Sequence, residues 1–66
     1  MKNTIKIERA FKNITQEDLA KKIGVSRQTI NAMEAGKYVP STVLALKIAK
    51  CFGKKVEDIF VLEDLD

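Results

Sequence analysis

Gln16-Glu17-Asp18-Leu19-Ala20-Lys21-Lys22-Ile23-Gly24-Val25-Ser26-Arg27-Gln28-Thr29-Ile30-Asn31-Ala32-Met33-Glu34-Ala35 is the stretch around which the chain is organised. Leu19, Ala20 and Ile23 fall at i, i+1 and i+4, one apolar stripe on a short helix. Ile30 and Met33 fall at i and i+3 on a second. Gly24 stands between them, where a helix end needs a residue that tolerates a left-handed backbone. Ser26 offers a hydroxyl to the unbonded N–H groups that open the second helix. Ala20 is small enough to let the two helices cross closely. Together these choices predict a helix-turn-helix over 16–35, a motif whose second helix would be the one to read DNA.

Outward from that stretch, Ile7, Phe11 and Ile14 recur at i, i+4 and i+7. They predict a helix over about 5–12 with those three side chains as its buried face. Met1 to Thr4 lacks a cap and is expected to be extended or frayed. Thr15 is an N-cap for the next helix, with Asp18 in the capping-box position. On the far side, Gly36 ends the recognition helix, Lys37-Tyr38-Val39 form a loop, and Pro40-Ser41 open a fourth helix. Its Val43, Leu44, Leu46, Ile48, Ala49 and Phe52 are expected to make it the central pillar of the core. Gly53-Lys54-Lys55 is a turn, after which Val56 to Phe60 makes a fifth, short helix that lacks a Ser, Thr or Asp cap. Val61, Leu62 and Leu65 lie within an acidic tail and are expected to pack on something.

Composition narrows the function. The 66 residues are read as one domain, 1–66, and a chain this short is marginal on its own core. There is one cysteine, Cys51, and no histidine, so neither an internal disulfide nor a Cys/His zinc site can be built. A partner subunit is the remaining aid to stability, and a homodimer is expected. Net charge is +3, unevenly placed. Residues 1–37 carry eight bases against four acids, whereas 38–66 carry four against five, all five at or after Glu57. A basic first half with an acidic end suits a protein that turns one face to phosphates. No apolar run approaches the roughly 20 residues of a membrane span, and no signal-peptide pattern opens the chain. A cytoplasmic protein is expected, with no cofactor, no metal and no small-molecule ligand. Without histidine, a glycine-rich phosphate loop or a carboxylate pair outside the tail, an enzyme is not expected.

The pattern resembles the phage Cro/cI repressor-like (XRE-type) DNA-binding family. Gln16, Ala20, Gly24, Val25, Ile30 and Met33 match its helix-turn-helix. Glu34-Ala35-Gly36-Lys37-Tyr38-Val39-Pro40-Ser41 is similar to its exit loop, Ala45–Ala49 to its fourth helix and Val56–Phe60 to its fifth. The resemblance covers nearly the whole chain and is nearest to the small stand-alone repressors. It implies an all-α, five-helix, λ-repressor-like domain, in some members with a strand pairing of the N- and C-terminal segments.

On this reading Arg27, Gln28, Asn31 and Ala32 face the major groove. Arginine matches the two acceptors of guanine, glutamine and asparagine match adenine, and alanine fits a thymine methyl. Gln16, Thr29, Lys37, Tyr38 and Arg9 are the candidates for phosphate contact. The resemblance further implies a dimer interface in the C-terminal segment 57–66, carried by Ile59, Phe60 and Leu62. Packing within their own core is the competing account for those three. The expected function is a sequence-specific regulator of transcription, a repressor binding double-stranded DNA at a palindromic operator as a homodimer. The alternative is an antitoxin-like module whose acidic, apolar tail binds another protein.

Overall fold

Three of the five helices open on a serine or threonine cap, and the caps set where each helix points. In the computed structural model, which describes residues 1–66, the order is β1 (Lys2–Asn3), α1 (Ile5–Lys12), α2 (Gln16–Ile23), α3 (Arg27–Glu34), α4 (Thr42–Phe52), α5 (Val56–Ile59) and β2 (Phe60–Val61). Thr15 caps α2 in a full capping box: its hydroxyl accepts from the Asp18 N–H at 3.0 Å, and the Asp18 carboxylate accepts from the Thr15 N–H at 2.9 Å. Ser26 accepts from the Thr29 N–H to open α3, and Ser41 from the Leu44 N–H to open α4. Lys55 gives α5 no side-chain cap, and that helix stops after one turn. The expected five helices are all present, with the fifth ending one residue early because Phe60 turns extended.

Met1 to Thr4 is not frayed. Lys2 and Asn3 pair antiparallel with Val61 and Phe60, joining the two ends of the chain in a two-stranded sheet. Asn3 anchors the strand twice. Its side-chain N–H donates to the Met33 carbonyl at 2.7 Å, and its oxygen accepts from the Ile5 N–H. Asn3 thereby caps α1, a role that Thr4 does not fill. The Met1 amino group lies 3.0 Å from both Glu63 and Asp66 and holds the acidic tail against the start of the chain.

The core is built from Leu19, Ala20 and Ile23 of α2, Ile30 and Met33 of α3, Leu44, Ile48, Ala49 and Phe52 of α4, and Ile5, Ile59 and Phe60 from the ends. Val25 packs against it from the α2–α3 turn. Two stripes differ from expectation. On α1, Ile7 is 56% exposed and Phe11 81%, while Ile5 and Glu8 are buried and Ile14 is half-buried beyond the helix end. The inward face of α1 is partly ionic: Glu8 accepts from Lys54 at 2.8 Å, and Arg9 is paired with Glu34. On α4, Val43 and Leu46 are exposed, because one face of an eleven-residue helix cannot bury every apolar residue it carries.

Candidate nucleic-acid interface

Gly24 takes φ 75° at the end of α2, and Val25 and Ser26 complete the turn that sets α3 across α2. Ile30 and Met33, both fully buried, fix the rotation of α3 about its own axis. That rotation leaves Arg27, Gln28 and Asn31 exposed and Ala32 half-buried. Arg27 forms no ion pair with any carboxylate, so its guanidinium is available to a ligand. Ala32 keeps the helix surface low beside Asn31, where a longer side chain would hold the backbone away from a groove floor.

Behind that face lies a network that ties three helices together. Arg9 of α1 grips Glu34 with two N–H groups, one to each carboxylate oxygen, the second at 3.0 Å, and a third N–H reaches the Ile14 carbonyl at 3.1 Å. Gln16 of α2 donates to the same carboxylate at 3.1 Å and to the Asn31 side-chain oxygen at 3.3 Å. Burial pushes the Glu34 carboxyl up, but its hydrogen bonds from Arg9 and Gln16 and the charges of Arg9 and Lys6 outweigh that and hold it below the usual glutamate range. The bonds to Glu34 likewise hold the Arg9 guanidinium above its ordinary value against the desolvation of its site. Glu34, at the last position of α3, is thus the hub that locks the recognition helix to α1 and α2. It belongs to the quoted exit-loop motif, but its two partners lie 25 and 18 residues away and no local pattern links them.

The expected site residues are therefore brought together unequally. Arg27, Gln28, Asn31 and Gln16 share one surface. Gln16, expected at a phosphate, has its amide nitrogen bonded to α3, which holds the first turn of α2 beside the recognition helix. The α1–α2 turn, Gln16, Glu17 and Arg27 enclose an open polar cleft of about 500 Å³. Lys37 and Tyr38 are exposed in the loop just past α3. Arg9 differs from the expectation: its guanidinium is bonded to Glu34 and the Ile14 carbonyl, leaving its side chain 14% exposed. Thr29 also turns inwards to its own turn, its hydroxyl 3.0 Å from that of Ser26. Ile59 and Phe60, expected at a dimer interface, are buried in the core of their own chain; of that trio only Leu62 is exposed.

Comparison with known sequences agrees with this geometry. The sequence model of the helix-turn-helix family matches residues 5–59, from the start of α1 to the end of α5. The chain is 69% identical over 64 residues to MJ0272 of Methanocaldococcus jannaschii, an uncharacterized HTH-type transcriptional regulator, covering 97% of each chain. It is 53% identical over 64 residues to YgzD of Bacillus subtilis, of the same description, again covering 97% of each. A third such regulator, from Archaeoglobus fulgidus, is 53% identical over 64 residues and is covered to 90% of its length. No helix is long and apolar enough to cross a membrane. With its capped α2, glycine turn and outward-facing α3, the chain belongs to the XRE-type helix-turn-helix family of DNA-binding domains.

Proposed function

We propose that this chain is a sequence-specific DNA-binding regulator of transcription, acting in the cytoplasm as a homodimeric repressor on a palindromic operator. The observation that carries the reading is the pairing of an exposed, unpaired Arg27 with exposed Gln28 on a helix whose opposite face is fully buried. A guanidinium and an amide on a fixed helix surface suit the acceptors of guanine and the mixed edge of adenine. Asn31 reads beside them with its side-chain N–H groups, and Ala32 permits close approach. Lys37, Tyr38 and the first turn of α2 at Gln16 set register on the phosphates. A palindromic site occupied by two such helices is closed to other proteins, which is how a chain this small represses.

The homodimer is supported by a groove of about 440 Å³ lined by Met1, Val39, Pro40, Thr42, Ala45, Leu46, Val56 and Phe60. None of those side chains is charged, on a protein of net charge +3. A two-fold interface sets each residue near its own copy, so an uncharged patch is where like chains meet without repulsion. Val39 and Pro40 belong to the loop directly after α3, so the same axis brings two recognition helices to one side of the dimer. The molecule measures 31 × 22 × 21 Å, a size that allows neighbouring copies to reach half-sites about 34 Å apart. The dimer surface proposed is thus the groove face of Val39 and Leu46, to which Phe60, 8% exposed, shows only an edge; Ile59 is fully buried and takes no part, and Leu62 is the one exposed residue of the expected trio.

Selection of binders from a random duplex pool, followed by footprinting, tests this. A recovered site with two inverted halves one helical turn apart is the expected outcome. Recovery of no preferred sequence, with retention lost at moderate salt, overturns it.

A further inference from the structure

The recognition surface does not account for most of the positive charge. Lys22 at the end of α2 and Lys47 and Lys50 on α4 line one depression. Lys50, Lys54 and Lys55 line the next, together with Asp58. Lys50 is common to both, so the two form one ridge along the C-terminal ends of α2 and α4. All five lysines are exposed. Lys54 is spent on Glu8, which leaves Lys22, Lys47, Lys50 and Lys55 without an ion pair and Asp58 as the one acid on the ridge. Neither depression shares a residue with the cleft at Gln16 and Arg27. Along α2, Lys22 lies about 9 Å beyond Gln16, at the opposite end of the helix.

Cations at a helix C-terminus complement its dipole, and Lys22 and Lys50 are placed to do so. Lys47 sits mid-helix and Lys55 lies past the glycine cap, where the dipole asks for neither. Four unpaired ammonium groups in a row repel one another in the free protein unless an anion runs along them.

We propose that this ridge binds the phosphate backbone of a second DNA duplex while the recognition helix holds its own site, so that the protein bridges two DNA segments. The inference rests on the DNA-binding reading above. Duplex DNA is preferred to an acidic protein because neither depression is lined by a large exposed apolar or aromatic side chain, the usual anchor of a protein interface; the exposed Leu46, one turn from Lys50, belongs to the dimer face proposed above. Lysines are mobile point charges, suited to phosphates at any sequence and not to a fixed bidentate partner. The contact is therefore sequence-independent and strongly salt-sensitive.

The test immobilises a duplex carrying the selected site, loads the full chain on it, and measures capture of a labelled random-sequence duplex. The parent is expected to capture it, with capture falling steeply with salt. The variant Lys22→Gln/Lys47→Gln/Lys50→Gln/Lys55→Gln is expected to footprint the selected site as the parent does yet lose capture tenfold or more. The matching four Lys→Arg changes are expected to retain capture, which separates charge from folding. Absence of capture by the parent, or equal capture by the glutamine variant, overturns the proposal, as does displacement of the protein's second ligand by polyglutamate more readily than by duplex. Failure to footprint the selected site at all would instead overturn the DNA-binding reading, a distinguishable result.

Discussion

Arg9 and Glu34 close a two-pronged ion pair across 25 residues of sequence, joining the first helix to the last position of the recognition helix. Both side chains are largely withdrawn from solvent, at 14% and 7% exposure. Gln16 adds a third hydrogen bond to the same carboxylate and a fourth contact to Asn31. The orientation of Asn31, the residue proposed to read a base, is therefore tied through Gln16 to the Glu34 carboxylate.

Glu34→Gln leaves a guanidinium with no counter-charge in a confined site. Breaking a buried pair on one side costs about 3 kcal/mol or more, a large share of the roughly 5 kcal/mol available to a domain this small. Thermal denaturation should show a drop of well over 10 °C, given about 4–8 °C per kcal/mol for small domains. Arg9→Ala should show a comparable drop. Loss of DNA binding by Arg9→Ala with an unchanged Tm would instead make Arg9 a phosphate contact.

The same carboxylate makes stability depend on acid. Glu34 and Asp18 are both held below their ordinary values of 4.5 and 3.8, the latter by its hydrogen bonds from the Thr15 backbone and hydroxyl. A group whose pKa is lowered by folding stabilises above its unfolded value and loses that contribution as pH falls through the folded value. Tm should be level near neutrality and decline from about pH 4.5 downwards. Glu34→Gln should flatten the upper part of that decline, as followed by circular dichroism melts across pH.

Where the sequence was legible, backbone chemistry and apolar spacing acted alone. The capping residues Thr15, Ser26 and Ser41 and the turn at Gly24 announce α2, α3 and α4, and Ile30 and Met33 announce which side of α3 faces out. The phase of α1 was not legible, because its inward face holds Glu8 and Arg9, and a count of apolar residues cannot see a face buried through ion pairs. Lys54 and Glu34, the partners that permit that burial, are 46 and 25 residues away. The α4 stripe misleads for the opposite reason, since Val43 and Leu46 are apolar but lie on the outer side. At the tail the expectation fails: Val61, Leu62 and Leu65 are exposed, because the β1–β2 pairing is only two residues long and draws in Phe60, beside Ile59, rather than the residues that follow.

Phe11 offers a direct check on that corrected phase. At 81% exposure it contributes little to the core, so Phe11→Gln should change stability by no more than about 0.5 kcal/mol in urea unfolding. A buried phenylalanine would lose about 3–5 kcal/mol on truncation, and a loss of that size would restore the original stripe.

Leu46 and Phe60 separate interface from core. Leu46→Lys sets a charge against its own copy across the proposed two-fold, so sedimentation should show a monomer with an intact helical spectrum and weakened operator binding. Phe60→Ala opens a cavity within one chain, at a cost of about 3–5 kcal/mol, and should unfold the protein at every concentration. A Leu46→Lys chain that remains dimeric moves the interface elsewhere, with Leu62 the next residue to change.

Arg27 and Lys37 divide the work of recognition into two measurable kinds. Arg27 stands on the helix and is expected at a base edge, so Arg27→Ala should cost about 1–3 kcal/mol on the selected site and relax preference at one base pair in each half. Lys37 is exposed in the loop past the helix and is expected beside the DNA backbone, where its charge would displace one condensed counterion. Lys37→Ala should weaken all duplexes alike and flatten the slope of log K against log salt by about one unit for each subunit bound. Neither exposed side chain supports the core, so both variants should keep the parent Tm. Titrations of matched and single-mismatch duplexes at several salt concentrations read both effects together. An Arg27→Ala chain that loses affinity equally for every duplex would show that its guanidinium clamps a phosphate, and base reading would then fall to Gln28 and Asn31.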